Sequence, residues 1–349
     1  MTTAKAYAAY NATTPLAPYD FTRRDVGTHD VQIEILYCGV CHSDLHQARD
    51  EWGGSIYPMV PGHEIVGKVT NVGSGVTKFK AGDIAGVGVM VDSCRTCKNC
   101  EKSLEQYCVE GMTGTYNTLE RDGKTIAQGG YSTQIVVDER YVLNIAPHLD
   151  LKSVAPLLCA GITTYSPLMY AGVTKGMKVG IVGLGGLGHM GVKFAVSLGA
   201  EVTVLSTSPS KEADAKRLGA TKFLLTTDEE AMKAYNSYFD VILDAISANH
   251  DYTKYLDLLD LDGKLLVVGL PTEAPKVLPF SLIKNRRSII GSMIGGMKET
   301  QEMLDYCAAN NIVSDIELID MQHINEAYER MLKGDVKYRF VIDLASLKG

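Results

Sequence analysis

Several things are scarce in this sequence. It has no lysine- or arginine-rich tract, and its formal net charge is −7. That speaks against nucleic acid or an anionic membrane surface as the main partner. Long apolar runs are missing too. Stretches such as residues 265–270 are far too short to span a bilayer. Residues 1–10 include a lysine but lack the long apolar core of a secretory leader. The expectation is a cytoplasmic protein with no membrane partner. There is one tryptophan, Trp52, and neither an internal repeat nor a low-complexity segment.

What is present is an ordinary globular composition, 46% hydrophobic and 21% charged, over 349 residues. That length favours two domains over one core. The first 155 or so residues are rich in Gly, Val and turn signals and read as mostly β, with strands expected over residues 31–36, 65–72 and 131–137. From about residue 179 the pattern alternates. Strands are expected over residues 178–182, 202–205, 223–225, 241–243, 265–268 and 289–290, with helices running to residue 198 and over 211–218. Such alternation predicts a parallel, doubly wound sheet. After residue 296, helices over 298–310 and 324–332 lead to a strand over 339–344. This tail is too short for its own domain and is expected to return to the first half. The division expected is therefore 1–155 with 296–349, and 156–295.

Eight cysteines in a chain read as cytoplasmic suggest metal binding or packing rather than disulfides. Cys94, Cys97, Cys100 and Cys108 have spacings of two, two and seven intervening residues. Four thiolates at such spacing can close a tetrahedral shell, as in structural zinc sites. The bacterial iron–sulfur run is the rival. It needs a last spacing of three followed by proline, whereas Val109 follows here. A nucleic-acid-binding zinc module is disfavoured by Glu101, Glu105 and Glu110 in or beside the loop.

Residues 37–46 read Tyr-Cys-Gly-Val-Cys-His-Ser-Asp-Leu-His, a dense set of polar groups at an expected strand end. Cys41 and His63 offer two metal ligands. Spacing alone leaves the third open between Cys38 and Cys159. Farther on, Gly183-Leu184-Gly185-Gly186-Leu187-Gly188 matches G-x-G-x-x-G between an expected strand and helix. Gly183 would allow the tight turn, Gly185 a close pyrophosphate and Gly188 close helix–strand packing. The helix N-terminus then supplies N–H donors to the phosphates. NAD-binding folds place an acid about 20 residues later, on the ribose 2′-hydroxyl. This chain has Ser206-Thr207-Ser208-Pro209-Ser210-Lys211 there instead. Hydroxyls and a lysine suit a 2′-phosphate, which predicts NADP(H). The plainer reading is that Lys211 solvates the next helix and the hydroxyls cap it.

The sequence resembles the zinc-containing medium-chain dehydrogenases/reductases, most closely the branch of cinnamyl-alcohol dehydrogenases and bacterial aldehyde reductases. The likeness is carried by Gly39-Val40-Cys41-His42-Ser43-Asp44-Leu45-His46, Pro61-Gly62-His63-Glu64, the four-cysteine loop, Gly161-Ile162-Thr163-Thr164-Tyr165, the glycine run and Tyr338-Arg339-Phe340-Val341. It implies an α/β protein with a GroES-like, mostly-β catalytic domain and a Rossmann domain. It implies hydride transfer between NADP(H) and aldehydes or primary alcohols, with two zinc ions per chain. Cys41, His63 and Cys159 would hold a catalytic zinc, with Glu64 behind it or as an alternate ligand, and Asp44 would orient His63. Ser43 would be the hydroxyl nearest the substrate oxygen and His46 the solvent end of a proton relay. Thr163, Gly186 and Leu187 would lie along the cofactor, His42 and Arg339 near the pyrophosphate, and Ser206, Thr207, Ser208 and Lys211 at the 2′-phosphate. A homodimer joined along an edge strand near residues 288–294 is also implied.

Three other residues have plainer expectations. Cys38 and Cys307 are read as core, and His189 as structural. Trp52 either walls a substrate pocket or packs in the core. The functional alternatives are a non-enzymatic NADP(H) sensor on this fold, and a zinc-free quinone reductase, which Cys41, His63 and Cys159 together disfavour.

Overall fold

The strand Asp30–Gly39 organises the first half of the chain. Val31, Ile33, Ile35 and Cys38 are fully buried while Gln32 and Glu34 are only partly so, the alternation of a strand with one face on a core. In this computed structural model, which describes residues 2–348, that strand lies inside a seven-stranded sheet. It pairs antiparallel with Ile65–Val72, Gln134–Asp138 and Arg339–Asp343. The pairing with Ile65–Val72 shifts register twice, and Gly67 sits where a side chain would run into the Glu34 carbonyl. Bulges of this kind re-aim a strand end. Beyond it the chain turns directly into the helix His42–Ala48.

The C-terminal strand Arg339–Asp343 joins this sheet at Tyr37–Gly39, and Ile316–Asp320 runs parallel beside it. Met1–Cys159 and Gly295–Gly349 accordingly form one unit and Ala160–Ile294 the other. The expected strand over 131–137 is shorter, Gln134–Asp138. Residues 129–131 instead bond to Val60–Gly62 through irregular backbone hydrogen bonds. The hairpin of Thr2–Ala8 with Ala17–Arg23 was not anticipated. Its second strand buries little besides Arg23, so its apolar pattern is weak.

The second unit is a six-stranded, all-parallel sheet in the order Lys222–Leu225, Glu201–Ser206, Lys178–Val182, Phe239–Asp244, Leu259–Val267, Ser288–Gly291. The order reverses at Lys178–Val182, where such folds bind ligands at the strand C-termini. Val182, Leu205, Phe239, Ile242, Leu256 and Leu265 share one buried cluster. The helix Gly188–Ser197 buries Met190, Val192 and Phe194. A side chain at Gly191 would come within 2.8 Å of Leu243, so glycine lets this helix lie close to the sheet. The strand Leu259–Val267 begins earlier than its apolar run, because Asp260, Leu261 and Asp262 are exposed while the backbone already pairs with Phe239. None of the described helices is long and apolar enough to cross a membrane.

Candidate metal centres and cofactor site

Three separate segments of the first unit meet at the end of Asp30–Gly39. Cys41 occupies the N-cap position of the helix His42–Ala48. His63 follows Gly62, whose φ of +104° few other residues adopt. Cys159 ends the short turn Ala155–Leu158. One ligand atom from each of Cys41, His63, Glu64 and Cys159 lies within 4.8 Å of all the others. Cys38, in contrast, is buried away from them, its Sγ against the Gly39 carbonyl at 3.6 Å.

The surroundings of this cluster are ordered. Asp44 is fully buried. It accepts from the Cys41 N–H at 2.9 Å, the Gly62 N–H at 3.0 Å, His63 Nδ1 at 3.0 Å and the Tyr131 hydroxyl at 3.2 Å. Nδ1 of His63 is thus committed, and Nε2 is the nitrogen left to ligate. The His63 ring also stacks on Tyr116, centroids 5.8 Å apart. Burial opposes a charged His63, but Asp44 holds its pKa well above the usual value.

The hydrogen bond between the two thiols drives Cys41 well below its ordinary range and Cys159 well above. The pair can shed one proton readily and the second only against a buried negative charge. Glu64 is pushed up to about 7 by burial, against the pull of Arg339. Its Oε1 accepts from the Arg339 guanidinium, and Oε2 has no partner at hydrogen-bond distance. Two thiols, an imidazole and an orphaned carboxylate oxygen, gathered with only Cys41 partly exposed, fit a divalent cation that replaces the missing protons. Two sulfurs and one nitrogen leave a fourth tetrahedral position open, as in catalytic zinc sites.

Around the cluster, Ser43 Oγ stands 3.6 Å from Cys41 Sγ. The half-buried His46 meets Glu51 through Nδ1 at 2.5 Å. Trp52 is 47% exposed with its ring 5.2 Å from His46, so it is not a core residue. His42 is exposed on the same helix. Arg339 is buried within its unit, bonded to Glu64 and to the Val40 carbonyl at 2.9 Å.

The four-cysteine loop is built differently. Cys97 and Cys94 Sγ lie 3.5 and 3.9 Å from Cys100 Sγ, and all four sulfurs fall within 4.8 Å of one another. Backbone N–H groups of Cys94, Cys97 and Val109 point at Cys108, Cys94 and Cys97 Sγ at 3.3–3.4 Å. The Val109 N–H, with Cys100, lowers Cys97 to about 6. Prepaid N–H donors and four sulfurs fit a closed structural zinc site.

In the second unit, Gly183 has φ +86° just past Lys178–Val182, and a side chain at Gly188 would collide with the Gly183 carbonyl. Gly185 faces open space: nothing lies within 4 Å of where its Cβ would be. A pyrophosphate fits that cradle, with Gly186 and Leu187 completing the turn into Gly188–Ser197. Thr163 is buried in Ala160–Ala171. His189 is fully buried, with Nδ1 3.3 Å from the Gly185 carbonyl, a structural contact.

Ser206 ends its strand, and its Oγ accepts from the Ser208 N–H at 3.2 Å. Thr207 is exposed, Ser208 and Ser210 hydroxyls are 2.8 Å apart, and Lys211 ends the turn Pro209–Lys211. The nearest acid in sequence, Glu212, is paired with Lys216 at 2.7 Å. The hydroxyl-rich loop fits a phosphate better than a bare ribose diol.

Motif reading passed over Tyr131, Tyr116 and Glu51. Tyr131 reaches Asp44 across 87 positions of sequence, and no local spacing signals such a contact.

Comparison with known proteins gives a consistent family. The alcohol dehydrogenase GroES-like domain matches residues 27–147, and the zinc-binding dehydrogenase domain matches residues 186–309. The chain is 56% identical to the NADP-dependent alcohol dehydrogenase C 1 of Mycolicibacterium smegmatis, over 100% of both chains. It is 55% identical to the aldehyde reductase YahK of Escherichia coli, over 98% of this chain and 99% of that one. A cinnamyl alcohol dehydrogenase of Sorghum bicolor superposes with a TM-score of 0.96 at 45% identity, covering 99% of this chain and 98% of that one. The Helicobacter pylori enzyme CAD, solved with NADP(H), gives 0.92 at 46% identity over 98% of each chain.

Proposed function

We infer the activity from one premise: the chain belongs to the zinc-binding alcohol dehydrogenase family with a GroES-like domain. It is an NADP(H)-dependent zinc oxidoreductase that interconverts aldehydes and alcohols. It acts as a broad aldehyde reductase or as a cinnamyl-alcohol-type dehydrogenase. The observation that carries the site reading is the meeting of Cys41, His63, Glu64 and Cys159 beside Ser43.

Cys41, His63 and Cys159 hold the catalytic zinc, with Glu64 in reserve, and Cys94, Cys97, Cys100 and Cys108 hold the structural one. Bound there, zinc supplies Lewis acidity toward a carbonyl or alcohol oxygen, and NADP(H) supplies or accepts the hydride. Ser43 donates a proton to the substrate oxygen in reduction and takes it back in oxidation. His46, steadied by Glu51, exchanges that proton with solvent. Asp44 keeps the His63 ring turned with Nε2 toward the sulfurs. Gly183, Gly185, Gly186, Leu187 and Gly188 seat the pyrophosphate, and Thr163, His42 and Arg339 flank the cofactor. Ser206, Thr207, Ser208 and Lys211 select the 2′-phosphate.

The protein is cytoplasmic, where a reducing compartment keeps its eight free cysteines as thiols. It forms a homodimer along the edge strand Ser288–Gly291. The support is the exposed apolar set Leu278, Phe280 and Ile283 just before that strand, the last two at 70% and 72% exposure. Light scattering should give twice the 37.9 kDa chain mass; the single-chain mass would reject the dimer.

A panel of aromatic and aliphatic aldehydes, run with NADPH and NADH alongside zinc quantification, tests the whole reading. Turnover preferring NADPH, with two zinc ions per chain, is expected. Tight NADPH binding without turnover on any member would point to a sensor instead.

A further inference from the structure

The turn around Tyr131 is tied down from two sides. Its backbone bonds to the segment leading into His63: Gly129 N–H to the Val60 carbonyl at 2.7 Å, Gly130 N–H to Gly62 at 2.8 Å, Tyr131 N–H to Pro61 at 2.9 Å. From the other side the buried Arg23 guanidinium donates to the carbonyls of Gln128, Gly129 and Gln134 at 2.7–3.0 Å, and to Ser132 Oγ at 3.1 Å. One buried guanidinium thus bonds carbonyls on both sides of Tyr131, and charge-assisted bonds of this kind hold the turn in place. A side chain at Gly62 would come within 2.7 Å of Tyr131 Cδ1. The ring therefore lies flush on the residue before His63.

Tyr131 is fully buried. Its hydroxyl donates to Asp44 Oδ2, which also takes the Cys41 N–H, while Oδ1 takes the Gly62 N–H and His63 Nδ1. Each carboxylate oxygen thus has two donors. The phenol is a side-chain donor to Asp44 from outside the metal ligands, and it limits rotation of the carboxylate that His63 depends on.

We propose that Tyr131 is a positioning residue for the metal-ligating imidazole: held by Arg23 through its turn, it fixes Asp44, and Asp44 fixes His63. The inference rests on the metal-site reading above and carries it to residues outside every motif in the sequence.

Chelator competition on the full, zinc-loaded chain tests it. Wild type should release zinc in two phases, assigned by Cys159→Ser, which removes one of them. Tyr131→Phe keeps the ring and loses only the hydroxyl. It should release zinc about tenfold faster from the site of Cys41, His63 and Cys159, the lower end of what an outer partner of a ligand contributes. The four-cysteine phase should not change. Tyr255→Phe, which removes a buried hydroxyl in the other unit, should alter neither phase. In Asp44→Asn, adding Tyr131→Phe should bring no further acceleration, since the phenol acts through the carboxylate. Unchanged release in Tyr131→Phe, additive effects in the double variant, or equal acceleration of both phases would each overturn the proposal. A single release phase in wild type would remove the metal-site reading itself.

Discussion

Cys94, Cys97, Cys100 and Cys108 lie in one loop, whereas Cys41, His63 and Cys159 come from three distant segments that a seven-stranded sheet brings together. The loop is ordered by its own backbone N–H groups aimed at sulfur. The distributed site is ordered by side chains, chiefly the four hydrogen bonds on Asp44 and the pairing of Glu64 with Arg339. The loop offers four sulfurs and no vacancy. The distributed set offers mixed donors, an unpartnered carboxylate oxygen and a neighbouring hydroxyl. A site that needs only to hold a metal can be written locally. One that must leave a coordination position open, and set a proton donor beside it, has to be assembled by the fold.

That contrast can be broken at its strongest point by His63→Ala. Removing one of three ligands should cut kcat by on the order of 10³-fold or more, the scale of losing a main electrostatic stabiliser of developing charge. Ser43→Ala comes next. The zinc content should stay at the wild-type value while kcat falls about 10²-fold, the low end for a lost proton donor. Unaltered turnover in that variant would exclude Ser43 from the relay. Lys211→Glu leaves both metal sites alone and should raise the KM for NADPH about tenfold, with little change for NADH, consistent with one lost charge-assisted contact. Equal KM changes for both cofactors would argue that Lys211 only solvates its helix. Cys97→Ser should have the least effect on turnover. The folded enzyme keeps its kcat, while the melting temperature drops because a structural zinc contributes directly to folding. A loss of kcat at undiminished stability would show that the loop is not merely structural.

The same contrast explains what could be read before the structure. The four-cysteine loop and the glycine turn were visible as spacing, because their geometry is local: Gly183 needs its positive φ and Gly188 its contact with the Gly183 carbonyl wherever the strand and helix go. The parallel strands were visible as short apolar runs, although Leu259–Val267 was shortened by its exposed aspartates. Cys159 could not be separated from Cys38 by spacing. The structure buries both, and what distinguishes them is that Cys38 Sγ lies against Gly62 and Gly130 and outside the cluster of Cys41, His63, Glu64 and Cys159. Trp52 could not be placed either, since an aromatic suits a core and a surface alike; it lies exposed against His46. Tyr131 and Arg23 were silent because their partners are set by a turn bonded to a segment some 70 residues earlier.

Zinc per chain, measured in wild type and in Cys159→Ser purified identically, tests the central claim most directly. The account predicts two ions falling to one, with the remaining ion inert toward aldehydes and NADPH. Two ions in both proteins, or one in both, would contradict it.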